Sequence, residues 1–381
     1  VLFLQESFVD NEGYGVRTRG YLCFMFGKIK QPEKEGKDTQ VYRNQFSNID
    51  FTTLLSADLQ SREHAQVVPD TQENPLATIE DGIIYLGQGD FIQASQKFQQ
   101  AVFFDLDNDL FASMLKMTDY WVEKLRRCDF LPWPERSEFL FQSWNDFSNY
   151  FCAKLPVVAD QVFFSIKNWV LDLNISLVKK SLHEHETVEK LLLLARSYKM
   201  KGNYDIAIEV YDRGFLLTRD HAGLLAELAD CYAVVDQETE ARILFREAFF
   251  YSADKIEVGY LESAMVLNLI KKVKEQCGQD FSLEWVGVYG VLWGIFNVSR
   301  ELKPAEYAQM NQSIHMLRNE IEEVSTDQRK VLVPKLIYRL FWLIDYYKNL
   351  NGDVDLFRQR IQASLLDIRF LDERIFQEYR L

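Results

Sequence analysis

Residues 188–221 read VEKLLLLARSYKMKGNYDIAIEVYDRGFLLTRDH, and residues 222–255 continue AGLLAELADCYAVVDQETEARILFREAFFYSADK. Laid over each other at a spacing of 34 residues, Ala195 meets Ala229, Tyr198 meets Tyr232, Ala207 meets Ala241, Tyr211 meets Phe245 and Gly214 meets Ala248. Leu191 and Leu194 keep register with Leu225 and Leu228 at the front of each copy. Apolar residues three and four apart write a helix, and the Gly202-Asn203 step divides the first copy into two. A small residue on one helix leaves a hole that a large residue of its neighbour fills. Val188–Asp254 is therefore a helical hairpin written twice.

A third copy stands earlier. In Pro75–Asn108 the packing positions are held by Gly82, Tyr85, Gly89, Phe91, Ala94, Phe98 and Ala101, with Gly89-Asp90-Phe91 matching Gly202-Asn203-Tyr204. A 34-residue period with small residues set against aromatics resembles the tetratricopeptide repeat. The resemblance covers Pro75–Asn108 and Val188–Asp254. It departs from the family at Leu106, Arg219 and Ala253, where proline is usual.

The resemblance implies a mostly α chain, a right-handed α–α superhelix or solenoid, whose inner groove is lined by the first helix of each hairpin. Proteins of this family bind peptides or other subunits and perform no chemistry. Carried over residue by residue, the groove positions are Ile79, Ile83 and Leu86 in one copy, Glu189, Leu192, Arg196 and Lys199 in the next, and Ala226, Asp230 and Ala233 in the last. Members that clamp a C-terminal carboxylate use a Lys/Asn/Arg set. Here Leu192 and Arg196, then Glu227 and Asp230, stand at those places. A carboxylate clamp is not expected, and the mixed lining suits an apolar helix or segment laid in the groove.

Composition narrows the partner. The 43 Lys and Arg against 57 Asp and Glu give a net charge of −14. A nucleic-acid surface needs clustered cations to displace counterions from phosphates, so nucleic acid is not an expected partner. Five cysteines, Cys23, Cys128, Cys152, Cys231 and Cys277, lie far apart with no C-x-x-C pair. They suggest neither zinc nor a disulfide framework, and fit a reducing compartment better than an oxidising one. The longest uncharged internal run, Trp285–Ser299, is 15 residues, shorter than the roughly 18 apolar residues of a membrane span. The chain opens Val-Leu-Phe-Leu-Gln without methionine, so a natural N-terminus, and any signal or anchor on it, is expected to precede it.

The remaining segments read as follows. Residues 1–55 carry two aromatic, strand-forming runs, Tyr21–Phe26 and Val41–Phe46, around a polar loop at Gln31–Asp38, predicting a small β-hairpin or sheet. Gly13, Gly15 and Gly20 match no nucleotide fingerprint and read as turns. Residues 56–74 are polar and contain Pro69, as a linker would. A helical solenoid is expected over residues 75–381.

Within it, Asp109–Thr187 has length for two degenerate hairpins, with aromatic stripes through Trp121, Trp144, Phe147 and Trp169 that predict core packing, divided by Pro132-Trp133-Pro134 and by Pro156. Lys255–Gln276 reads as a further first helix. Phe281–Ser299 carries Gly287, Gly290 and Gly294 on one face, where another helix can approach closely. A helix start is expected at Pro304, an apolar helix over Leu336–Lys348, and a last amphipathic helix from about Leu356 towards Tyr379, the whole of 281–381 forming a cap.

Candidates for chemistry are few. His183-Glu184-His185-Glu186 has metal-like composition, but histidines two apart leave a helix on different sides, whereas a helical zinc pair is spaced by four. The loop reading is preferred. No P-loop, H-E-x-x-H, nucleophile elbow or dinucleotide fingerprint occurs, and no cofactor is expected. The expected function is a non-catalytic scaffold or adaptor docking a protein or peptide partner within a larger assembly, with envelope, secretion or motility complexes as natural settings. Two alternatives remain open: a regulatory sensor with residues 1–55 as its ligand-binding part, and an enzyme whose site is assembled from distant residues.

Overall fold

The 34-residue copies fold as paired helices, and the small residues that define them are the ones with no room to grow. In the computed structural model, which describes residues 75–154, 160–297, 302–350 and 352–380, the first pair is α1 (Pro75–Gln88) with α2 (Phe91–Phe104). A Cβ on Gly82 of α1 would stand 2.6 Å from the Phe98 ring of α2. The later pairs are α6 (Val188–Met200) with α7 (Tyr204–Leu217), and α8 (Ala222–Val234) with α9 (Glu238–Ser252). Ala195, Ala207, Ala229, Ala241 and Ala248 are fully buried, and Tyr198 and Tyr232 are buried with them. Gly214 of α7 takes Leu224 of α8 against its backbone, so successive pairs interlock.

Local chemistry sets the ends of these helices. The side chains of Thr187 and His221, one period apart, accept the backbone N–H of Lys190 and of Leu224 at the starts of α6 and α8, satisfying donors that no helical turn can reach. The turn inside each pair needs a residue in the left-handed region. Gly202 fills it at φ +79°, and Asp236, its counterpart one period on, at φ +61°. An L-residue pays a steric cost there that glycine avoids. Gly202→Ala is therefore expected to lower unfolding free energy by about 1–2 kcal/mol, while Asp236→Gly leaves it unchanged or raises it. Urea titration of the two variants checks both signs.

Between the copies lie three long helices rather than two short hairpins: α3 (Asp109–Asp129), α4 (Trp133–Lys154) and α5 (Asp160–Glu184). Pro132 does precede a helix start, as expected. The long apolar stripes extend each helix past the length of a repeat, and α5 packs back against α1 as well as against α3 and α4. Trp169 of α5 meets Phe91 edge-on at 5.0 Å. The aromatic stripes are core: Trp121, Trp144 and Phe147 are buried.

Past α9 the expected first helix at 255–276 is shortened. Residues 253–263 form two 3-10 turns, Ala253–Lys255 and Val258–Tyr260, and α10 begins only at Ala264 and runs to Cys277. The physical reason is that this stretch is held by polar groups of α6 and α8, described below. Of the run expected at 281–299, α11 (Glu284–Leu292) is helical before the backbone turns at Gly294, φ +71°. A Cβ on Gly287 would fall 2.8 Å from Tyr338, the close approach its spacing predicted.

The chain continues through α12 (Pro304–Glu323) and α13 (Thr326–Asn349). The single last helix expected there is two, α14 (Val354–Leu371) and α15 (Glu373–Arg380), because Asp372 accepts the N–H groups of Arg374 and Ile375 and starts a new helix. Tyr379 of α15 stacks on Phe341 of α13 at 4.6 Å.

Fifteen α-helices and no strand are present among the described residues. Over the described residues the architecture is all-α and repeat-like. The β-hairpin expected at 1–55 and the linker at 56–74 lie outside the described residues. No described helix is long and apolar enough to cross a membrane. The buried apolar residues form two clusters, one through α1–α5 and one from α5 to α15.

Candidate functional site

The sequence-predicted groove residues divide between those two clusters. Ile79 and Leu86 are buried in the first, beside Phe91 and Phe98, with Ile83 half-buried. Leu192 and Ala226 are buried in the second, and Ala233 is half-buried. Glu189 is exposed in the first turn of α6, where hydrogen bonds from its own backbone N–H and from Thr187 hold its carboxyl below the ordinary range. Arg196, Lys199 and Asp230 come together with residues that the repeat register did not single out.

Two ion pairs build the site, and both join residues 31 apart. That offset is one repeat less one helical turn, so each pair bridges the first helices of successive copies. Arg196 of α6 donates Nε to both carboxylate oxygens of Glu227 of α8, at 3.1 and 2.9 Å, and its Nη2 donates to the same carboxylate. The Tyr211 hydroxyl of α7 donates to Glu227 at 2.8 Å from beneath. One turn along, Lys199 Nζ meets Asp230 at 2.6 Å, with the two side chains 2% and 0% exposed. Burial would favour a neutral lysine, but the Asp230 carboxylate outweighs it and holds the amine charged, its pKa raised. Burial, with Glu227 next to it, pushes the Tyr211 phenol well above its ordinary range. Cys231, buried beside the pair, is pushed up to about 12, burial outweighing the nearby Lys199 charge, so it is a packed thiol and not a nucleophile.

Over these pairs lies residues 256–263. Lys199 Nζ donates to the Tyr260 carbonyl at 2.6 Å, and Asp230 accepts the backbone N–H of Glu262 and of Ser263, each at 2.8 Å. The Arg196 guanidinium lies over the Tyr260 ring, 3.6 Å from its centroid, and donates to Glu257 at 2.7 Å. Asn145 of α4 donates to the Tyr260 hydroxyl at 3.0 Å, with the Phe141 ring alongside, and the Tyr204 hydroxyl donates to Glu262 at 2.8 Å. Four α-helices thus hold one segment that has no α-helix of its own. Its main chain is read by a buried cation and a buried anion.

The register-based reading put Glu227 beside Asp230 at the clamp positions, Tyr211 at a packing position and Tyr204 at the turn without giving the last two a part in the groove, and it missed Asn145, Glu257 and Tyr260. A signal was available for Glu227: opposite charges at 196/227 and 199/230 share one offset. Nothing in the sequence marks Asn145, Glu257 and Tyr260, which arrive from outside the repeat copies. Neither a family model nor a curated protein matches the chain.

Elsewhere, a cleft of about 660 Å³ opens between α9, α10 and the turn after α11, lined by Arg242, Met265, Leu269, Lys272 and Trp293 among others. Arg242 is already paired with Glu238 at 2.9 Å. Among the described residues no group of three or more His, Cys, Asp or Glu side chains is placed to hold a metal. His185 and Glu186 serve the α5–α6 loop instead, accepting from Lys190 at the His185 carbonyl and from Arg213 at the Glu186 carboxylate.

Proposed function

We propose that the chain is a non-catalytic docking scaffold of tetratricopeptide type, which holds a segment of a partner polypeptide against its first helices. The observation that carries this reading is the pairing of Lys199 and Asp230, whose charged groups are aimed at a carbonyl and at backbone N–H groups. Contacts of that kind hold a polypeptide main chain whatever its side chains, and neighbouring pockets add selectivity. The state of the groups supports binding over chemistry. Glu227 is taken up by Arg196 and Tyr211, and Lys199 by Asp230 and the Tyr260 carbonyl, so both side chains are engaged in holding helices and main chain together.

A photo-crosslinking amino acid placed at Glu189, which shares a helical face with Arg196, tests the reading in the native cell. Crosslinks should map to one contiguous segment of a second protein, and a probe at exposed Glu275 should not give them. Equal, scattered crosslinking from both positions would overturn it.

A further inference from the structure

The register of the repeats shows what residue 256 replaces. First helices begin at 188 and 222, and the next would begin at 256, yet no α-helix starts there before Ala264 and the chain makes only the 3-10 turn Val258–Tyr260. The segment at that place behaves as a bound peptide would. Its Tyr260 ring and main chain are anchored by residues of α4, α6 and α8, Gly259 is exposed, and Glu257 and Glu262 accept from Arg196 and Tyr204 while staying largely open to solvent.

The charged groups at the centre of the cradle have partners of their own besides the segment. Arg196 is fixed by Glu227, Glu227 by Tyr211, and Lys199 by Asp230. The cradle is therefore preorganised, and a ligand entering it loses little affinity to rearrangement.

We infer that Glu257–Leu261 is an internal occupant of this cradle, and that the partner segment it yields to carries the same signature: a carboxylate, two small or apolar residues, an aromatic residue and an apolar residue. This rests on the docking reading and adds to it the chemistry of the partner. Each feature has its receptor. The carboxylate meets the outer edge of the Arg196 guanidinium, and the aromatic ring lies on its face with its hydroxyl at Asn145. The aromatic residue's carbonyl meets Lys199, and the apolar residue enters the core where Leu261 is buried. Ser263 stays on Asp230 as the start of α10, which confines the exchange to residues before it. An occupant tethered at both ends competes at an effective concentration on the order of millimolar. A partner of the same chemistry therefore binds the intact chain weakly and a chain with a vacated cradle tightly.

A fluorescein-labelled peptide of residues 255–262, Lys-Ile-Glu-Val-Gly-Tyr-Leu-Glu, followed by anisotropy against the full chain, tests this. The chain carrying Glu257→Ala and Tyr260→Ala should bind it at least 10-fold tighter than the unsubstituted chain, by removal of the tethered competitor. Adding Arg196→Ala should abolish binding, as should alanine for tyrosine in the peptide. Equal affinity of the two chains, or binding indifferent to the peptide's tyrosine, overturns the inference.

If the substituted chain loses its helical circular dichroism, hydrogen exchange on the unsubstituted chain decides. Excess peptide should speed exchange of the amides of 257–261, and no change overturns it. A partner crosslinked at position 189 by a segment lacking the signature would leave docking standing and defeat this inference alone.

Discussion

Asp230→Ala is expected to lower the free energy of unfolding by about 3–5 kcal/mol, the cost of leaving a buried charge without its partner. Lys199 would lose the carboxylate that holds it charged and be left at 2% exposure with the Tyr260 carbonyl to meet it, and the N–H groups of Glu262 and Ser263 would lose their acceptor. Asp230→Asn keeps an acceptor for one N–H group and should cost less. The double variant Asp230→Ala with Lys199→Met removes both charges, and breaking a pair costs more than deleting it. The double variant is thus expected to be more stable than Asp230→Ala alone. Urea unfolding of these proteins together with the Lys199→Met single variant closes the cycle and gives the coupling. A loss below about 1 kcal/mol for Asp230→Ala, the range of an exposed pair, would show that water reaches the site and that Lys199 and Asp230 are not the frame on which the segment rests.

Phe147→Ala is expected to cost a similar amount, about 3–5 kcal/mol, through a cavity instead of a charge. Phe147 is fully buried on α4, and five rings surround it: Tyr120, Trp121, Trp144, Phe151 and Phe163, with centroids 4.7 to 5.7 Å away. Large, rigid neighbours from α3 and α5 cannot collapse into the space. Phe147→Leu fills part of it and should recover about half of the loss. The measurement is the shift in the urea midpoint at constant slope. A change in slope would mean that the native state itself had loosened.

The parts of the fold that were legible in the sequence are those written at short range. Ala195, Ala229, Tyr198 and Tyr232 announce their burial because a helix places three- and four-residue neighbours on one face, and Gly287 announces the close pass of Tyr338 in the same way. The helical character of the described residues and the paired helices followed from that pattern. The return of α5 onto the α1–α2 pair did not, because Trp169 and Phe91 are far apart in sequence and each alone is an ordinary core residue. The segment 256–263 was read as helix since its apolar residues fit helical spacing and no proline interrupts it. What keeps it out of a helix is the hold of Arg196, Lys199 and Asp230, an influence from outside the window. The site was half legible for the same reason. Arg196, Lys199 and Asp230 follow from register, while Tyr260 and Glu257 come from a stretch the register does not govern.

Helix α5 belongs to both clusters of apolar side chains. Leu177 faces one, while Ile175 and Val178 face the other. Consecutive side chains are about 100° apart around a helix, so a turn of this rod by a single position would withdraw all three from their places at once. Its azimuth is consequently pinned from two sides, like a shaft keyed at both bearings. The setting of α1–α4 against α6 onwards is thereby fixed by side-chain volume along the shaft and not by the connections at its ends.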